Sequence, residues 1–440
     1  MKVLKFGGTS VGKPERMHSV ANLVTADNDA KIVVLSALSG TTNALVEISQ
    51  SLSEGNKVQA KEKIDKLEGH YRSFVDELVK GVDGKAKANA IVDEHFEFLN
   101  IILKISFNEA LNKDILAQGE LLSTKLFCTY LEEAGINAVL LPALDFMSID
   151  EYEEPEIPKI KTKLASLIEK NKQTNIFITQ GYICRNARGE IDNLKRGGSD
   201  YSASLIGAAI QASEVQIWTD IDGMHNNDPR LVNKTFPIEQ LSFDEAAELA
   251  YFGAKILHPA SIWPAQHFNI PVKLLNTMQP EAKGTIITEM PNGNGVKAVA
   301  AKDGIIAIKI KSSRMLLAYG FLRKIFEVFE KYRTPIDMIT TSEVAVSLTI
   351  DHSQHLDQIL KELQPFGSVE LDHQQAIVSI VGNEVAATPA ILSKMFDCLS
   401  EVPLRMISYG GSRHNISILV AAQYKNKTLQ LLNKGLFGLE

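Results

Sequence analysis

The sequence has few cysteines, and none of them is spaced for a disulfide framework or a metal site. Its three cysteines, Cys128, Cys184 and Cys398, lie far apart without any CxxC or Cys/His ligand spacing. Disulfide-rich secreted domains and zinc modules need paired or clustered cysteines. The sequence therefore excludes both classes and predicts buried thiols in a reducing compartment.

Long apolar runs and an excess of basic residues are also missing. No run of about 18 apolar residues occurs, and Met1–Ser10 contains no apolar signal region. The 46 Lys and Arg residues are outnumbered by 53 Asp and Glu residues, which gives a formal net charge of -7. Nucleic acids and anionic membranes attract basic surfaces, so neither is an expected partner. The sequence predicts an untethered, cytoplasmic protein.

The common nucleotide-binding motifs are absent, yet the first dozen residues contain a turn of phosphate size. Lys2–Lys13 reads KVLKFGGTSVGK, an apolar strand that stops at Gly7 and Gly8 before a helical pattern. It matches neither the Walker A loop nor the GxGxxG fingerprint. Adjacent glycines let backbone N–H groups approach an anion, and Lys5 adds a positive charge. The same spacing is also typical of an ordinary tight turn.

The first 290 residues alternate between apolar strands and helical patterns. At 440 residues the chain is long enough for two or three domains. The alternation predicts an α/β domain over 1–290, with a mainly parallel open sheet between helices and a site at the carboxyl ends of its strands. Residues 54–103 are expected to form a helical excursion, and Gly119-Glu120 to interrupt a helix. A strand is predicted over 31–40.

A smaller pattern appears twice after the linker PNGNG at 291–295. Residues 304–371 predict a βαββαβ unit, and residues 376–436 predict a second unit that lacks its last strand. Because a bare sheet edge exposes unpaired backbone groups, we expect strand 296–301 to complete the second module. The predicted domains are thus 1–290, 296–374 with the linker strand and first module, and 375–440.

Four further stretches place polar or charged residues at predicted strand ends. Each also fits a structural role by itself: RGGSD fits a helix N-cap, DIDG lacks the remaining ligands of a calcium loop, and Lys255 fits a solvated helix position. The stretches are SALSGTTN at Ser36–Asn43, RGGSD at Arg196–Asp200, WTDIDGMHNNDPR at Trp218–Arg230 and GAKILHP at Gly253–Pro259.

Together these stretches resemble the aspartate kinases of the amino acid kinase family. The resemblance covers essentially the whole chain and implies a monofunctional enzyme of the lysine-sensitive type, with the family's kinase fold followed by two ferredoxin-like ACT modules that form a homodimer or a higher oligomer. It rests on KFGGTSV at 5–11, the loop at 36–43, Gly119-Glu120, RGGSDYSA at 196–203, WTD at 218–220, DPR at 228–230, GAKILHP at 253–259 and ITTSEV at 339–344.

The resemblance implies transfer of the γ-phosphoryl group of ATP to the β-carboxylate of L-aspartate, giving 4-phospho-L-aspartate and ADP. This is the first step towards lysine, threonine and methionine. The nucleophile, with a pKa of about 4, is ionised at pH 7, so the site needs positive charge and N–H donors rather than a general base. Mg²⁺ is expected to arrive with the nucleotide, and no metal ligands are expected among the side chains.

The same resemblance assigns roles to individual residues. Arg196 is expected to bind the α-carboxylate of the substrate through two parallel hydrogen bonds, and Glu120 its ammonium. The catalytic residues implied are Lys5, Asp200 and Lys255. The nucleotide-binding residues implied are Lys5, Gly7, Gly8, Thr9, Ser36, Thr219, Asp220, His225, Arg230 and Lys255, and the substrate-binding residues are Thr42, Glu120, Arg196 and Ser199.

Two positions depart from the family pattern without removing a catalytic group. His225 stands where relatives commonly carry tyrosine, and Lys195 where glycine is common. His225 fits either a nucleoside contact or an exposed loop, and Lys195 fits either a place near the substrate anions or water. His258 and His267 are assigned to packing or capping.

In the family, the first ACT module binds an end-product amino acid, usually lysine or threonine. The matching segments are 315–321 and 334–344, in which the loop at 318–320 suits an effector carboxylate. The resemblance favours lysine, although Pro335 replaces a possible donor; alternatively, the modules only dimerise. The effector-binding residues implied are Met315, Ala318, Gly320, Ile336, Asp337 and Ser342.

Two other functions remain open at this point. The first is a kinase for another acidic substrate, such as glutamate or N-acetylglutamate, and a free-ammonium site at Glu120 argues against the acetylated one. The second is a non-catalytic amino-acid sensor on the same scaffold, which would require loss of Lys5 or Lys255. From the length, a fused homoserine dehydrogenase is not expected.

Overall fold

The computed structural model describes residues 1–194, 197–253, 257–289, 293–312, 319–352 and 354–439. The chain forms two compact units. The first unit comprises Met1–Met224, Glu239–Phe243 and Leu257–Pro291, and the second comprises His225–Ile238, Asp244–Ile256 and Asn292–Glu440.

The elements are numbered in chain order. The strands are β1 (Lys2–Phe6), β2 (Lys31–Leu35), β3 (Ala138–Leu140), β4 (Ile176–Gln180), β5 (Ile183–Arg185), β6 (Ile191–Asn193), β7 (Val215–Thr219), β8 (Gln240–Ser242), β9 (Val272–Asn276), β10 (Thr285–Thr288), β11 (Gly295–Lys311), β12 (Ile339–Thr341), β13 (Ala345–Ile350), β14 (Ser368–Asn383), β15 (Met406–Ser408) and β16 (Asn415–Ala421). The α-helices are α1 (Gly8–Val11), α2 (Pro14–Val24), α3 (Thr41–Ser53), α4 (Lys57–Leu78), α5 (Val82–Ile102), α6 (Glu109–Glu133), α7 (Ala143–Phe146), α8 (Ile157–Lys170), α9 (Gly198–Ile210), α10 (Phe243–Tyr251), α11 (Pro259–His267), α12 (Phe321–Lys331), α13 (Leu356–Leu363), α14 (Pro389–Cys398) and α15 (Lys425–Phe437).

An eight-stranded sheet forms the centre of the first unit, in the order β3-β4-β2-β1-β7-β9-β10-β8. Its neighbours pair in parallel except β9 and β10, which are antiparallel. All five residues of β2 are buried, as expected for a parallel strand covered on both faces. The predicted α/β sheet is thus confirmed. Strand β2 ends at Leu35, so residues 36–40 form a loop instead of continuing the strand.

Helix α6 runs without a break through Gly119 and Glu120, so the predicted interruption there is wrong. A Cβ atom on Gly119 would lie 2.7 Å from the Cβ of Ala37. Only a glycine lets α6 approach the loop after β2 this closely. The glycine is therefore a packing requirement, and it brings the next residue, Glu120, against that loop.

A six-stranded antiparallel sheet, β12-β13-β11-β14-β16-β15, belongs to the second unit. Strand β11 is continuous over residues predicted to form two strands, and its register shifts between Lys302 and Ile305. Its first part pairs with residues 377–383 of β14 and its later part with residues 368–375. Residues 296–301 therefore pair where the sequence placed them, beside the strand that begins the second predicted module.

Two segments that precede residue 290 pack in the second unit. Residues 225–238 contribute Val232, which is 5% exposed, to a core with residues of β14, β16 and α15. Backbone N–H of Val299 donates to the carbonyl of Asn226 at 2.8 Å. In the second segment, residues 244–256, Oε2 of Glu248 accepts from the Asn415 side-chain amide at 2.9 Å. The limits of the compact units therefore differ from a division of the chain at residue 290, because both segments contact residues that come later in the sequence.

Candidate active site

A cavity of about 630 Å³ opens in the first unit where β1, β2, β4 and β7 reach their carboxyl ends. The position follows from the parallel sheet, whose strand ends and following loops gather at one edge. The cavity is lined by Lys5, Gly7, Gly8, Thr9, Ser36, Ala37, Leu38, Ser39, Gly40, Thr42, Asn43, Glu120, Tyr182, Gly198, Ser199, Thr219 and Asp220. Residues from six separate stretches of the sequence therefore meet at one place.

Lys5 is the cationic side chain among the described residues that line this cavity, and it is held by Asp200. Its Nζ lies 2.6 Å from Oδ1 of Asp200, and the two side chains are only 12% and 15% exposed. Asp200 lies in the first turn of α9, whose N-cap is Gly197. Both Gly197 (φ +67°) and Gly198 (φ +50°) adopt left-handed backbone conformations that favour glycine. The conformations of Gly197 and Gly198 thus set the position of Asp200 beside Lys5.

The serines of two different loops also meet at the cavity. Ser36, just after β2, donates its hydroxyl to Oγ of Ser199 at 2.9 Å. A Cβ atom on Gly181 would lie 2.3 Å from the Ser199 side chain. Glycine after β4 therefore makes room for Ser199. These contacts fix α9 against the loops that follow β2 and β4.

Glu120 places a carboxyl group inside the cavity with little exposure to water. The residue is 4% exposed, and burial raises its pKa to about 7, a shift opposed only partly by the hydrogen bond from the Ala37 N–H. That N–H donates to Oε1 at 3.3 Å, whereas Oε2 is buried without a hydrogen-bond partner among the described residues. A buried carboxylate oxygen without a partner favours a cationic ligand.

The predicted residues in the described part of this unit converge. Lys5, Gly7, Gly8, Thr9, Ser36, Thr42, Glu120, Ser199, Thr219 and Asp220 all line the cavity, and Asp200 contacts Lys5. The hydroxyl of Thr219 donates to Oδ1 of Asp220 at 3.2 Å. Their individual roles remain predictions.

Tyr182 lines the cavity but was not predicted. It lies two residues after β4 with φ +66°, an uncommon conformation for a residue with a side chain. Burial and the nearby Glu120 charge raise the pKa of its hydroxyl to about 12. Its position after a buried parallel strand was the available sequence signal, the same one that pointed to Ser36.

Some predicted residues lie outside the described part of the chain. These are Arg196 and Lys255 of the predicted active site, Met315 and Ala318 of the predicted effector site, and Lys195. Their assignments stay predictions.

His225 and Arg230 belong to the second unit. The Nδ1 atom of His225 lies 2.8 Å from the Thr235 hydroxyl, and the Arg230 guanidinium donates to both Asp228 oxygens, at 2.9 and 2.7 Å. His258 caps α11 by accepting from the Ala260 N–H at 3.1 Å, which confirms its assignment to capping. His267 stacks on Trp263, which agrees with packing.

The described effector residues also lie in the second unit. Gly320 (φ +78°) is the N-cap of α12, and Ser342 closes a turn by donating its N–H to the carbonyl of Ala345 at 2.8 Å. Ile336 is half-buried. Asp337 has a side chain that is 1% exposed, with Oδ2 buried and without a hydrogen-bond partner among the described residues.

The sequence also led to expectations about metal sites, membrane-spanning helices and cysteines. Within the described ranges, no cluster of three His, Cys, Asp or Glu side chains has the geometry to hold a metal ion. No helix in the described part of the chain is long and apolar enough to span a membrane. The three cysteines are unpaired; Cys184 is buried, whereas Cys128 and Cys398 are half-buried.

Comparisons with known proteins identify the family of the chain. The sequence model of the Amino acid kinase family matches residues 1–276, and that of an ACT domain matches residues 378–436. The chain is 32% identical to the lysine-sensitive aspartokinase 3 of Escherichia coli over 447 residues, covering 99% of each chain.

Two solved structures of the Escherichia coli enzyme are similar along the whole chain. Aspartokinase III in complex with aspartate and ADP (R-state) has a TM-score of 0.85 at 32% identity and covers 99% of this chain and 100% of that one. The complex with lysine and aspartate (T-state) has a TM-score of 0.83 at 32% identity and covers 99% of each. The chain therefore belongs to the amino acid kinase family and, within it, to the aspartokinases with C-terminal ACT domains.

Proposed function

We propose that this protein is an aspartate kinase that transfers the γ-phosphoryl group of ATP to the side-chain carboxylate of L-aspartate. The observation that carries the proposal is that one cavity is lined by both Lys5, beside two glycine amides, and the buried Glu120. A phosphate group and an amino-acid ammonium thus have complementary groups within the same space. The Escherichia coli relative was solved with aspartate and ADP together, which supports the same pair of ligands.

Glu120 favours an acidic substrate with a free ammonium group. Its Oε2 atom is buried without a partner among the described residues, and a charge-assisted hydrogen bond from an ammonium would satisfy it. An N-acetylated amino acid has no positive charge to offer at this position. The proposal therefore includes aspartate and, as the closest competitor, glutamate.

The transfer needs no general base on the protein. A carboxylate oxygen of aspartate attacks the γ-phosphorus, and the bond from that phosphorus to the β–γ bridging oxygen breaks, so that ADP leaves with the electron pair. The carboxylate is already ionised at neutral pH. Lys5, held by Asp200, would neutralise charge that develops on the transferred group, and the Gly8 amide would hold its oxygens. The Gly7 N–H, also expected to do so from the sequence, donates to the Trp218 carbonyl at 3.4 Å.

A divalent cation fits the donor set of the cavity. The hydroxyl of Thr219 and the carboxylate of Asp220 line it, and such hard oxygen ligands suit Mg²⁺. When bound with the nucleotide, Mg²⁺ supplies neutralisation of the β- and γ-phosphate charges. By resemblance, Lys255, His225 and Arg230 are nucleotide-binding residues, and Arg196 binds the substrate α-carboxylate.

Trapping the acyl phosphate tests this function. Purified protein is incubated with Mg-ATP, hydroxylamine and aspartate, glutamate or N-acetylglutamate, and the hydroxamate is measured. Product from aspartate alone is expected. Product from glutamate but not from aspartate would identify a related kinase, and no product from any acid would favour the non-catalytic sensor.

We also propose that lysine inhibits the enzyme by binding beside Asp337. The Escherichia coli relative is lysine-sensitive and was solved with lysine. Here the buried Oδ2 of Asp337 offers an ammonium a charged acceptor. Lysine is expected to lower the rate of hydroxamate formation, whereas threonine is not; a response to neither would refute this assignment.

Domain limits, oligomeric state and compartment remain predictions. We propose the limits 1–290, 296–374 and 375–440 as the functional division, self-association through the ACT modules, and a cytoplasmic enzyme. Size-exclusion chromatography with light scattering measures the oligomeric state, and a monomer would contradict it.

A further inference from the structure

Asp337 belongs to a charged cluster in the second unit that also contains Tyr251, Lys302 and Asp351, which we call the Asp337 cluster. The Lys302 ammonium lies 2.7 Å from Oδ1 of Asp337 and 2.8 Å from Oδ2 of Asp351. The Tyr251 hydroxyl donates to the same Oδ1 of Asp337 at 2.7 Å. Lys302 Nζ also lies 4.4 Å from the centroid of the Tyr251 ring.

The cluster contains two carboxylates and one ammonium, so its formal charge is negative. Burial acts to lower the pKa of Lys302, but the hydrogen bonds that its ammonium donates to the two carboxylates outweigh burial and raise the pKa, so Lys302 stays charged. The Tyr251 hydroxyl and the Lys302 ammonium both donate to Oδ1 of Asp337, while Oδ2 is buried without a hydrogen-bond partner among the described residues. A second ammonium on Oδ2 would therefore balance the charge, and it would draw negative charge away from Oδ1 and weaken the bond from Tyr251.

Tyr251 is the last residue of helix α10, so the cluster reaches an element from the kinase part of the sequence. The same helix also contacts strand β16 of the second unit, because Oε2 of Glu248 accepts from the Asn415 side-chain amide at 2.9 Å. Just beyond the helix, a Cβ atom on Gly253 would lie 2.2 Å from the carbonyl oxygen of Ala301, so backbone packs on backbone there. Lys255 follows Tyr251 by four residues in the sequence.

We propose that Tyr251 is a positioning residue that transmits effector binding from Asp337 to helix α10 and the segment that follows it. This inference rests on the proposed function, which places an effector ammonium at Asp337. The hydrogen bond from the Tyr251 hydroxyl to Asp337 connects helix α10 to the effector site. Without this bond, lysine still binds but inhibits the enzyme less strongly.

The test compares Tyr251→Phe with a matched control, Tyr332→Phe. The Tyr332 hydroxyl donates to Oε1 of Glu362 at 2.6 Å, and Lys331 lies 5.4 Å from the centroid of its ring. The control thus removes the same type of bond, next to a lysine, elsewhere in the second unit. Lysine binding is measured by calorimetry and inhibition by hydroxamate formation.

We expect both variants to keep the uninhibited rate and to bind lysine. In Tyr251→Phe the ratio of the lysine concentration for half-inhibition to the dissociation constant for lysine should rise at least about tenfold. This is the scale of one hydrogen bond to a charged group. Tyr332→Phe should respond like the unmodified protein.

The other outcomes separate the inference from the function on which it rests. If the unmodified protein neither binds lysine nor is inhibited by it, the effector assignment fails, and the inference with it. If the unmodified protein is inhibited and Tyr251→Phe is inhibited equally, only the inference fails. Equal loss of binding and inhibition in Tyr251→Phe would also overturn it, because Tyr251 would then only build the binding site.

Discussion

At the scale of single residues, the active-site cavity depends on two charges that the fold keeps away from water. Lys5 is compensated within the protein by Asp200. Glu120 has no such partner among the described residues, and burial raises its pKa to about 7. The protein thus carries an unfavourable buried carboxyl group at the place where an ammonium ligand would relieve it.

Glu120→Gln should weaken aspartate binding and remove its pH dependence near neutrality. In the unmodified protein, KM for aspartate is expected to rise as the pH falls below about 7, because Glu120 becomes protonated. The glutamine variant should show KM raised roughly 100-fold, the scale of a lost charge-assisted hydrogen bond, and nearly constant between pH 6 and 8. Steady-state kinetics over that range checks this; an unchanged KM would contradict the role of Glu120.

The same substitution should stabilise the unliganded protein. The folded protein holds the Glu120 proton up to about pH 7, while the unfolded chain releases it near 4.5. Stability from this group is thus fully present below 4.5 and is lost as the pH rises to 7. Glutamine avoids that loss, so at pH 8 the variant should gain up to about 3 kcal/mol in unfolding free energy. Urea denaturation at pH 5 and pH 8 measures it; equal stability at pH 8 would argue against a buried charge.

Asp200→Asn should lower kcat by about 10²–10³, because Lys5 loses the charge that orients it. A matched control is Asp192→Asn, since Asp192 pairs with Lys113 at 2.8 Å with both side chains 15% exposed, and neither residue lines the cavity. Both variants lose one half-buried ion pair. Equal kcat in the two variants would show that the Lys5–Asp200 pair is structural only.

At the scale of elements, helix α6 and the loop after β2 are fitted to each other at Gly119. Glycine is a poor residue for a helix interior, so its place in the middle of a long helix needs a reason. The short distance from a Gly119 Cβ to Ala37 supplies it. Glycine lowers the helix propensity of α6, but it permits the close approach to Ala37 that brings Glu120 to the cavity.

Gly119→Ala should therefore destabilise the protein, although alanine normally stabilises a helix by about 1 kcal/mol relative to glycine. The added methyl group meets Ala37 and Thr41 and should cost about 1–3 kcal/mol. Gly69→Ala in α4 is the matched control, because nothing lies within 4 Å of its Cβ, and it should be stabilising. Thermal melting of both variants checks the opposite signs; a gain in both would show that the Ala37 contact relaxes freely.

At the scale of the whole molecule, the compact units do not follow the order of the sequence. Residues 225–238 lie within the match to the Amino acid kinase family, yet they pack in the second unit. Asn433 of α15 holds them, because its Oδ1 accepts from the Asn226 amide at 3.2 Å and its Nδ2 donates to the Lys234 carbonyl at 3.1 Å. Kinase sequence and ACT sequence thus share one buried core.

Asn433→Ala should destabilise the protein by about 2–4 kcal/mol, because buried amide and carbonyl groups of residues 226–234 would lose their partner. If His225 and Arg230 hold the nucleotide as proposed, KM for ATP should also rise. Asn426→Ala, on the exposed side of the same helix, is the control and should change neither quantity. Melting temperature and steady-state kinetics measure both effects; a stable variant with raised KM would instead point to a direct role of α15.

The sequence by itself determined the elements whose cause is local or periodic. Buried strands such as β2 follow from continuous apolar runs, and the end of β1 follows from the two glycines, Gly7 and Gly8, that interrupt its apolar run. The predicted strand ends also identified most of the residues that line the cavity, since parallel strands bring the loops that follow them to one edge of the sheet. The repeated βαββαβ pattern was enough to expect the pairing of residues 296–301.

Only the tertiary structure decided the features that depend on distances between separate parts of the chain. The sequence predicts a helix break at Gly119 because the reason for a glycine there, the close approach of Ala37, lies in another loop. Tyr182 in the cavity, the merging of two expected strands in β11, and the placement of residues 225–238 and α10 in the second unit follow likewise from packing. Such contacts join residues far apart in the sequence, so no local pattern encodes them.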